Sequence, residues 1–456
     1  ADTGSLAKKW LASSRVKAGR AADDGAAPDQ AVVHVLAPDA DTAVAPSSGN
    51  GTPSAPVGSP VELLMAAGTR REVTAAALPV DSPSIGIQNG VIGGCVVGGC
   101  PTTQDGIPLS YTIVGSPSDG AKATVDAKTG AFTFLPFATE NSLPTGTQSF
   151  KVFVAQVTPF DTFVTGLPLI GSTIIAPVIT TLQQIPVIRV VLAPLIGSAT
   201  TQLVSANVDL LRAAAGNPPI AYTTMVTSWD GTQISTNFFP GLGTPNADGT
   251  RPTILNGPGL AQAGATTPTD PFVATFRSQG YNVVTWDPRG EFASGGVLQL
   301  DSPQFEGQDV TRLISWLATR PGVELDSAPT PTTPGDPRVG MVGVSYGGGI
   351  QLVTAANDHR IDAIAPGWAW NSLPGSLYPD DAFKTAYASL LLLGLVKTNA
   401  TINSQIYGGI ITGALLGVLT PSQIALLTSS GPGFTAGNIT APTLLIQGTV
   451  DVLFPL

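Results

Sequence analysis

The chain has 456 residues, a formal net charge of −10, and only 11% charged residues against the usual ~25%. An acidic balance excludes a nucleic-acid partner, which needs a basic face, and the length predicts two to four domains. With 52 Gly and 40 Pro, long irregular stretches are expected.

Residues 1–85 are Ala-, Pro- and Ser-rich and predict a disordered region. Two short helical patches there, "SLAKKWLASSRVKAGRAA" and "PVELLMAAGTRREV", flank a linker. No charged-then-apolar leader opens the chain, which reads as a mature protein or a fragment. Residues 86–158 change to short alternating strands, "LSYTIVG", "KATVDAKTGAFTFLP" and "TQSFKVFVAQV", with a tight connection from Asp126 to Gly130. The run "DGIPLSYTIVGSPSDGAKATVDAKTGAFTFLP" resembles cadherin-like or bacterial Ig-like repeats of exported proteins, which implies a small β-sandwich acting as a spacer. The only cysteines, Cys95 and Cys100 in "CVVGGCP", suggest a local disulfide in an exported protein, with two free thiols as the alternative. A secreted or cell-envelope location is expected accordingly.

Residues 159–218 read as an apolar, Pro-interrupted connector. Its stretch 162–188 is uncharged and long enough for a membrane span, but Pro168, Pro177 and Pro186 interrupt any single helix. A docked pair of short helices is the reading preferred over insertion. Contact with the cell envelope or a membrane surface is the partner expectation.

From 219 to 456 strands and helices alternate, the mark of an α/β domain. "AYTTMVTSWDGTQISTNFFPG" opens as a hairpin. "RPTILNGPG", "NVVTWDPRG", "RVGMVGVS", "IDAIAPGWAW" and "APTLLIQGTVD" are strands. Between them "DPFVATFRSQGY", "QFEGQDVTRLISWLATRPG" and "YGGGIQLVTAAN" are helices, and 372–440 is an apolar helical insert.

Chemistry enters at Gly343-Val344-Ser345-Tyr346-Gly347, a G-x-S-x-G pattern that so Gly-rich a chain also produces by chance. Its context carries it: Ser345 falls where a buried strand turns abruptly into a helix. Such a turn holds a nucleophile in a strained conformation above helix N–H groups that can receive an oxyanion. Asp451, beyond the insert in "PTLLIQGTVD", stands where an α/β-hydrolase keeps the acid that orients its base. The amide of Tyr346 is one oxyanion-hole candidate. Pro258 has no N–H to give, so the Gly259 or Leu260 amide is the other. Trp368 and Trp370 follow a strand end and are candidates for an acyl-pocket wall, with plain core as the competing reading. Asp287 and Arg289 in "WDPRGEF" could line the site or form a structural ion pair. No metal spacing, Walker loop or dinucleotide fingerprint occurs, so neither metal nor cofactor is expected.

"TMVTSWDGTQISTNFFPG", "PTILNGPG", "NVVTWDPRGEFASGG", "ISWLATRPG", "VGMVGVSYGGGIQL" and "IDAIAPGWAWN" resemble the Xaa-Pro dipeptidyl-peptidase/cocaine-esterase, peptidase S15-like, branch of the α/β-hydrolases. The resemblance implies hydrolysis of a peptide or small-molecule ester through an acyl-enzyme, with Ser345 as nucleophile and Asp451 as acid. Two departures stand out. The family's oxyanion tyrosine has no counterpart in "LNGPGLAQAG". Its histidine follows the acid, whereas the two histidines here are His34, in the predicted linker, and His359, predicted at the surface away from the site. The base is therefore expected beyond residue 456, which makes the chain an inactive fragment of a longer hydrolase. An esterase or lipase-like activity, or an interaction protein with a silent hydrolase fold, are the alternatives.

Overall fold

A computed structural model of the chain describes residues 81–104, 106–157, 201–210 and 219–454. Residues 1–80 of the predicted disordered region, the uncharged 162–188 stretch and His34 lie outside the described residues.

Strands β1 (Ser84–Gln88), β2 (Val91–Cys95), β3 (Thr103–Gln104), β4 (Ile107–Ile113), β5 (Lys122–Val125), β6 (Ala131–Leu135), β7 (Phe137–Ala138), β8 (Thr147–Gln156) and β9 (Thr201–Asp209) come first. Eight of them make two four-stranded antiparallel sheets, ordered β1-β2-β6-β5 and β3-β4-β8-β9. The period-2 alternation of β8 buries Phe150, Val152 and Val154 on one face. Phe150 meets Phe132 and Phe134 of the facing sheet at ring-centroid distances of 4.9 and 5.5 Å. The predicted tight connection is an Asx turn, with Asp126 Oδ1 accepting from the Lys128 and Thr129 amides. Gly130 closes it at φ 66°, and a Cβ there would lie 2.5 Å from the Tyr111 ring. Cys95 and Cys100 are joined in a disulfide with Cα atoms 5.1 Å apart.

Three boundaries differ from the sequence reading. Strand β1 already begins at Ser84, inside the predicted disordered region. The 159–218 connector contains β9, which pairs along the length of β8 from Thr147↔Asp209 to Ala155↔Thr201 and completes the sandwich. Strand β7 leaves the sandwich and pairs in parallel with the first strand of the next unit.

That unit contains β10 (Tyr222–Thr227), β11 (Gln233–Phe239), β12 (Thr253–Gly257), β13 (Asn282–Trp286), a ribbon of β14 (Leu325–Ser327) and β15 (Asp336–Pro337), β16 (Val339–Val344) and β17 (Ile361–Gly367). The seven-stranded sheet runs β17-β16-β12-β13-β11-β10-β7. Strands β12, β13, β16 and β17 are parallel, and β10 and β11 form an antiparallel hairpin. Residues 442–446 extend the parallel side through bridges Ile364↔Thr443 and Gly367↔Ile446.

Helix α1 (Pro271–Ser278) starts at an Asp270 cap with Pro271 at its first position; α2 (Glu306–Leu317) and α3 (Tyr346–Asn357) follow. Leu313, Ile314 and Leu317 of α2 pack with Leu255, Val284, Met341 and Ile350 into the main core. The predicted insert holds α4 (Leu373–Leu377), α5 (Thr385–Lys397), α6 (Ser404–Leu416) and α7 (Pro421–Ser429). Helices α5 and α6 are apolar all round, so Leu390, Leu393, Leu415 and Leu416 remain exposed while Leu395 and Ile406 are buried. No helix among the described residues is long and apolar enough to cross a membrane.

Candidate active site

Parallel strands leave their carboxyl ends open, and the sequence puts β16, α3 and the residues after β12 and β17 together there. Ser345 sits between β16 and α3 at φ 57°, ψ −119°, outside the regions that L-residues ordinarily occupy. Its amide donates to Gly367 O at 2.8 Å, and its carbonyl accepts from the Gly348 and Gly349 amides. The strain is held by packing that only glycines allow. A Cβ on Gly347 would lie 2.1 Å from Gly257 O, and one on Gly343 would lie 2.6 Å from Gly347 O. The turn has the backbone geometry of a nucleophile elbow, with the serine at its apex.

Among the oxyanion-hole candidates, the Tyr346 and Leu260 amides meet no acceptor among the described residues. Gly259 N instead donates to Gln262 Oε1 at 3.3 Å, so Leu260 is the better partner for Tyr346. Asp451 follows the 442–446 segment, where the expected strand is present only as isolated bridges. Its Oδ1 accepts from the Leu453 and Phe454 amides at 2.9 Å, and its Oδ2 from Gln447 Nε2 at 3.2 Å.

His359 is exposed beyond the far end of α3, with Nδ1 3.2 Å from Thr440 Oγ1. The helix between it and Ser345 is about 18 Å long at ~1.5 Å per residue, so His359 is not the base of Ser345. Trp370 is buried in packing against Tyr346 and Phe454, at ring distances of 6.3 and 5.2 Å. This packing beside the elbow is that of a core residue, the competing reading of the sequence. Trp368 is half-buried, and its amide donates to Ile446 O.

Asp287 and Arg289 are both buried, in separate networks. Arg289 pairs with Asp309 at 2.7 Å and Asp230 at 2.6 Å. Burial works against the guanidinium charge, but these two carboxylates outweigh it and raise its pKa. The Arg289 hydrogen bonds in turn hold Asp230 well below the usual carboxylate range. Asp287 accepts from Gly264 N at 2.9 Å and from Lys122 Nζ of β5 at 3.3 Å. It therefore ties the loop after β12, which carries Leu260, to the sandwich.

Sequence reasoning missed a second group of acids beneath the elbow. Glu291, Asp301 and Glu306 are buried. A Cβ on Gly349 would lie 2.6 Å from Asp301 Oδ2, which places that carboxyl against the first turn of α3. The Tyr346 hydroxyl accepts from Asp301 N at 3.1 Å. Neither Glu291 nor Asp301 has a hydrogen bond of ordinary geometry at its carboxyl oxygens. Burial pushes Glu291 up to about 8, against a weaker pull from the Ala261 amide, and raises Asp301 as well. Glu306 accepts from the Gln299 and Ser302 amides at 2.6 and 2.9 Å, and burial still lifts it to about 7. In a chain so poor in charge, acids flanking "RGEF" and "LQLDSPQFEG" were the available signal. No cluster of three or more metal-ligating side chains occurs among the described residues.

Strand order and the strand–turn–helix at Ser345 are those of an α/β-hydrolase fold. Within it, residues 222–404 match the family model of the X-Pro dipeptidyl-peptidase (S15 family), so the match spans less than half of the chain. No curated protein matches. Among solved structures, an alpha/beta hydrolase from Penicillium sp. sh18 is 16% identical, covering 52% of this chain and 82% of that one at TM-score 0.35. The acylaminoacyl peptidase of Pyrococcus horikoshii is 17% identical, covering 52% of this chain and 33% of that one at TM-score 0.35. An esterase of Pyrococcus furiosus is 16% identical, covering 52% and 72% at TM-score 0.33.

Proposed function

We propose that the protein is a serine hydrolase that cleaves an amide or ester through an acyl-enzyme, with Xaa-Pro dipeptides as one substrate class. The observation that carries the reading is Ser345 at φ 57°, ψ −119° beside the unengaged Tyr346 amide. Ser345 Oγ attacks the substrate carbonyl carbon and gives its proton to an imidazole. The Tyr346 and Leu260 amides receive the oxyanion, and the leaving amine or alcohol takes the proton as the scissile bond breaks. Water then repeats the sequence on the acyl-enzyme. Asp451 would orient the imidazole and stabilise its charged form. That imidazole is not His359.

Fluorophosphonate labelling of the full-length protein tests this. Label is expected on wild type and His359→Ala and absent from Ser345→Ala. Equal labelling of Ser345→Ala would overturn the nucleophile assignment. Comparing Xaa-Pro anilides with p-nitrophenyl esters separates peptidase from esterase. The esterase reading is favoured by one observation, an apolar cavity under the helical insert. The Cys95–Cys100 disulfide supports an exported or cell-envelope location. The sandwich topology is consistent with an Ig-like module.

A further inference from the structure

The insert does more than cover the site. Gly394 of α5 rests on the loop after β12, where a Cβ would lie 3.2 Å from Ala261 Cβ. Behind that contact a cavity of about 60 Å³ opens between α5, α6, α7 and the hydrolase unit. Its wall starts at Leu260, the residue whose amide is free for an oxyanion, and continues through Leu300, Leu391, Leu395, Ile406 and Leu427. Two glutamines also reach it, with their side-chain oxygens engaged elsewhere. Gln423 Oε1 accepts from Thr420 N and Thr412 Oγ1, and Gln405 Oε1 accepts from Ser422 Oγ. The exposed wall of the cavity is apolar, so a polar or charged side chain entering it would lose its water without compensation.

We infer that this cavity is the acyl-chain site of the hydrolase and takes an unbranched alkyl chain of about four to six carbons. The inference rests on the serine-hydrolase reading for its position and on the cavity for its chemistry. The length follows from volume: one water-sized group needs ~10–15 Å³, so the cavity holds about four to six such groups. The carbonyl carbon of a pentanoyl to heptanoyl ester sits at Ser345, its oxygen at Leu260 and Tyr346, and its tail of about four to six carbons runs under α5.

Two variants test it. Gly409 of α6 lines the cavity, has a helical backbone, and would keep an added Cβ at an ordinary 3.5 Å from Gln423. Gly409→Leu thus fills the cavity while improving helix propensity. Gly408→Leu makes the same helical change at a position outside the lining and is the control. With p-nitrophenyl esters, kcat/KM of the full-length protein is expected to rise about fourfold per methylene from acetyl to hexanoyl and to stop rising beyond heptanoyl. Gly409→Leu should lower the hexanoyl value at least about tenfold more than the acetyl value, with Gly408→Leu resembling wild type.

Binding is read without turnover on Ser345→Ala, as broadening of the ¹⁹F signal of 6,6,6-trifluorohexanamide. Broadening that Gly409→Leu abolishes supports the site, even if fluorophosphonate labelling shows that Ser345 is no nucleophile. Labelling without broadening overturns the site and leaves the hydrolase reading intact. An acetyl optimum, a preference for Xaa-Pro anilides over hexanoyl esters, or broadening unchanged by Gly409→Leu also overturns it.

Discussion

Ser345 combines two demands that conflict in an ordinary residue. Its backbone occupies a region costing on the order of 1–3 kcal/mol, and its side chain caps nothing, since no cap hydrogen bond is made at the start of α3. The proposed role as nucleophile would account for the cost, since the turn leaves the neighbouring Tyr346 amide unengaged. Ser345→Gly is therefore expected to raise the melting temperature by about 2–4 °C while abolishing fluorophosphonate labelling. A lower melting temperature would show that the conformation is not strained. The residues that make the elbow were legible in the sequence, because Gly343, Gly347 and the strand–helix switch are local. The role of Trp370 was not, because burial against Phe454 joins positions that lie 84 apart in the chain.

At the scale of elements, the carboxyl end of β13 and the first turn of α2 concentrate buried acid. The positive end of α2 favours charge on Glu306 and Asp309, but Glu291 has no such support. Its folded pKa of about 8 stands above the ordinary 4.5. Between those values the unfolded chain releases this proton and the folded chain keeps it, so stability falls as pH rises through the window. The melting temperature is expected to be lower at pH 8.5 than at pH 5.5, and Glu291→Gln should flatten that slope. A slope unchanged by Glu291→Gln would assign it to other groups. Asp230, whose pKa is depressed, acts in the opposite sense: its contribution is lost as pH falls through the acid range. The strands and the helical insert could be read from periodicity. The acids could not, because burial and not residue type sets their pKa values. Strand β9 was obscured by apolar, Pro-rich neighbours that suppress a period-2 signal, and only pairing with β8 reveals it.

At the scale of the molecule, the sandwich is bound to the hydrolase unit by more than a linker. Val91 and Leu135 share a core with Phe239, Val273 and Val283. Trp316 Nε1 donates to Glu140 O at 3.0 Å, Arg277 donates to Asn89 O, and Lys122 reaches Asp287. Lys122→Met leaves Asp287 buried without its cation and is expected to cost about 2–3 kcal/mol. That is below the ~3–5 kcal/mol of a fully buried pair, because Lys122 keeps partial exposure. Urea midpoints measure the loss, and Lys122→Arg should recover most of it. A midpoint unchanged in Lys122→Met would show that the contact contributes nothing.

Strand β7 gives this attachment a mechanical consequence. Its two residues sit in the hydrolase sheet at Thr223 and Thr224, one residue after β6 ends in the sandwich sheet. A rotation between the units would tear sheet hydrogen bonds instead of bending a tether. The two units should consequently tumble in solution as one body, with a single rotational correlation time.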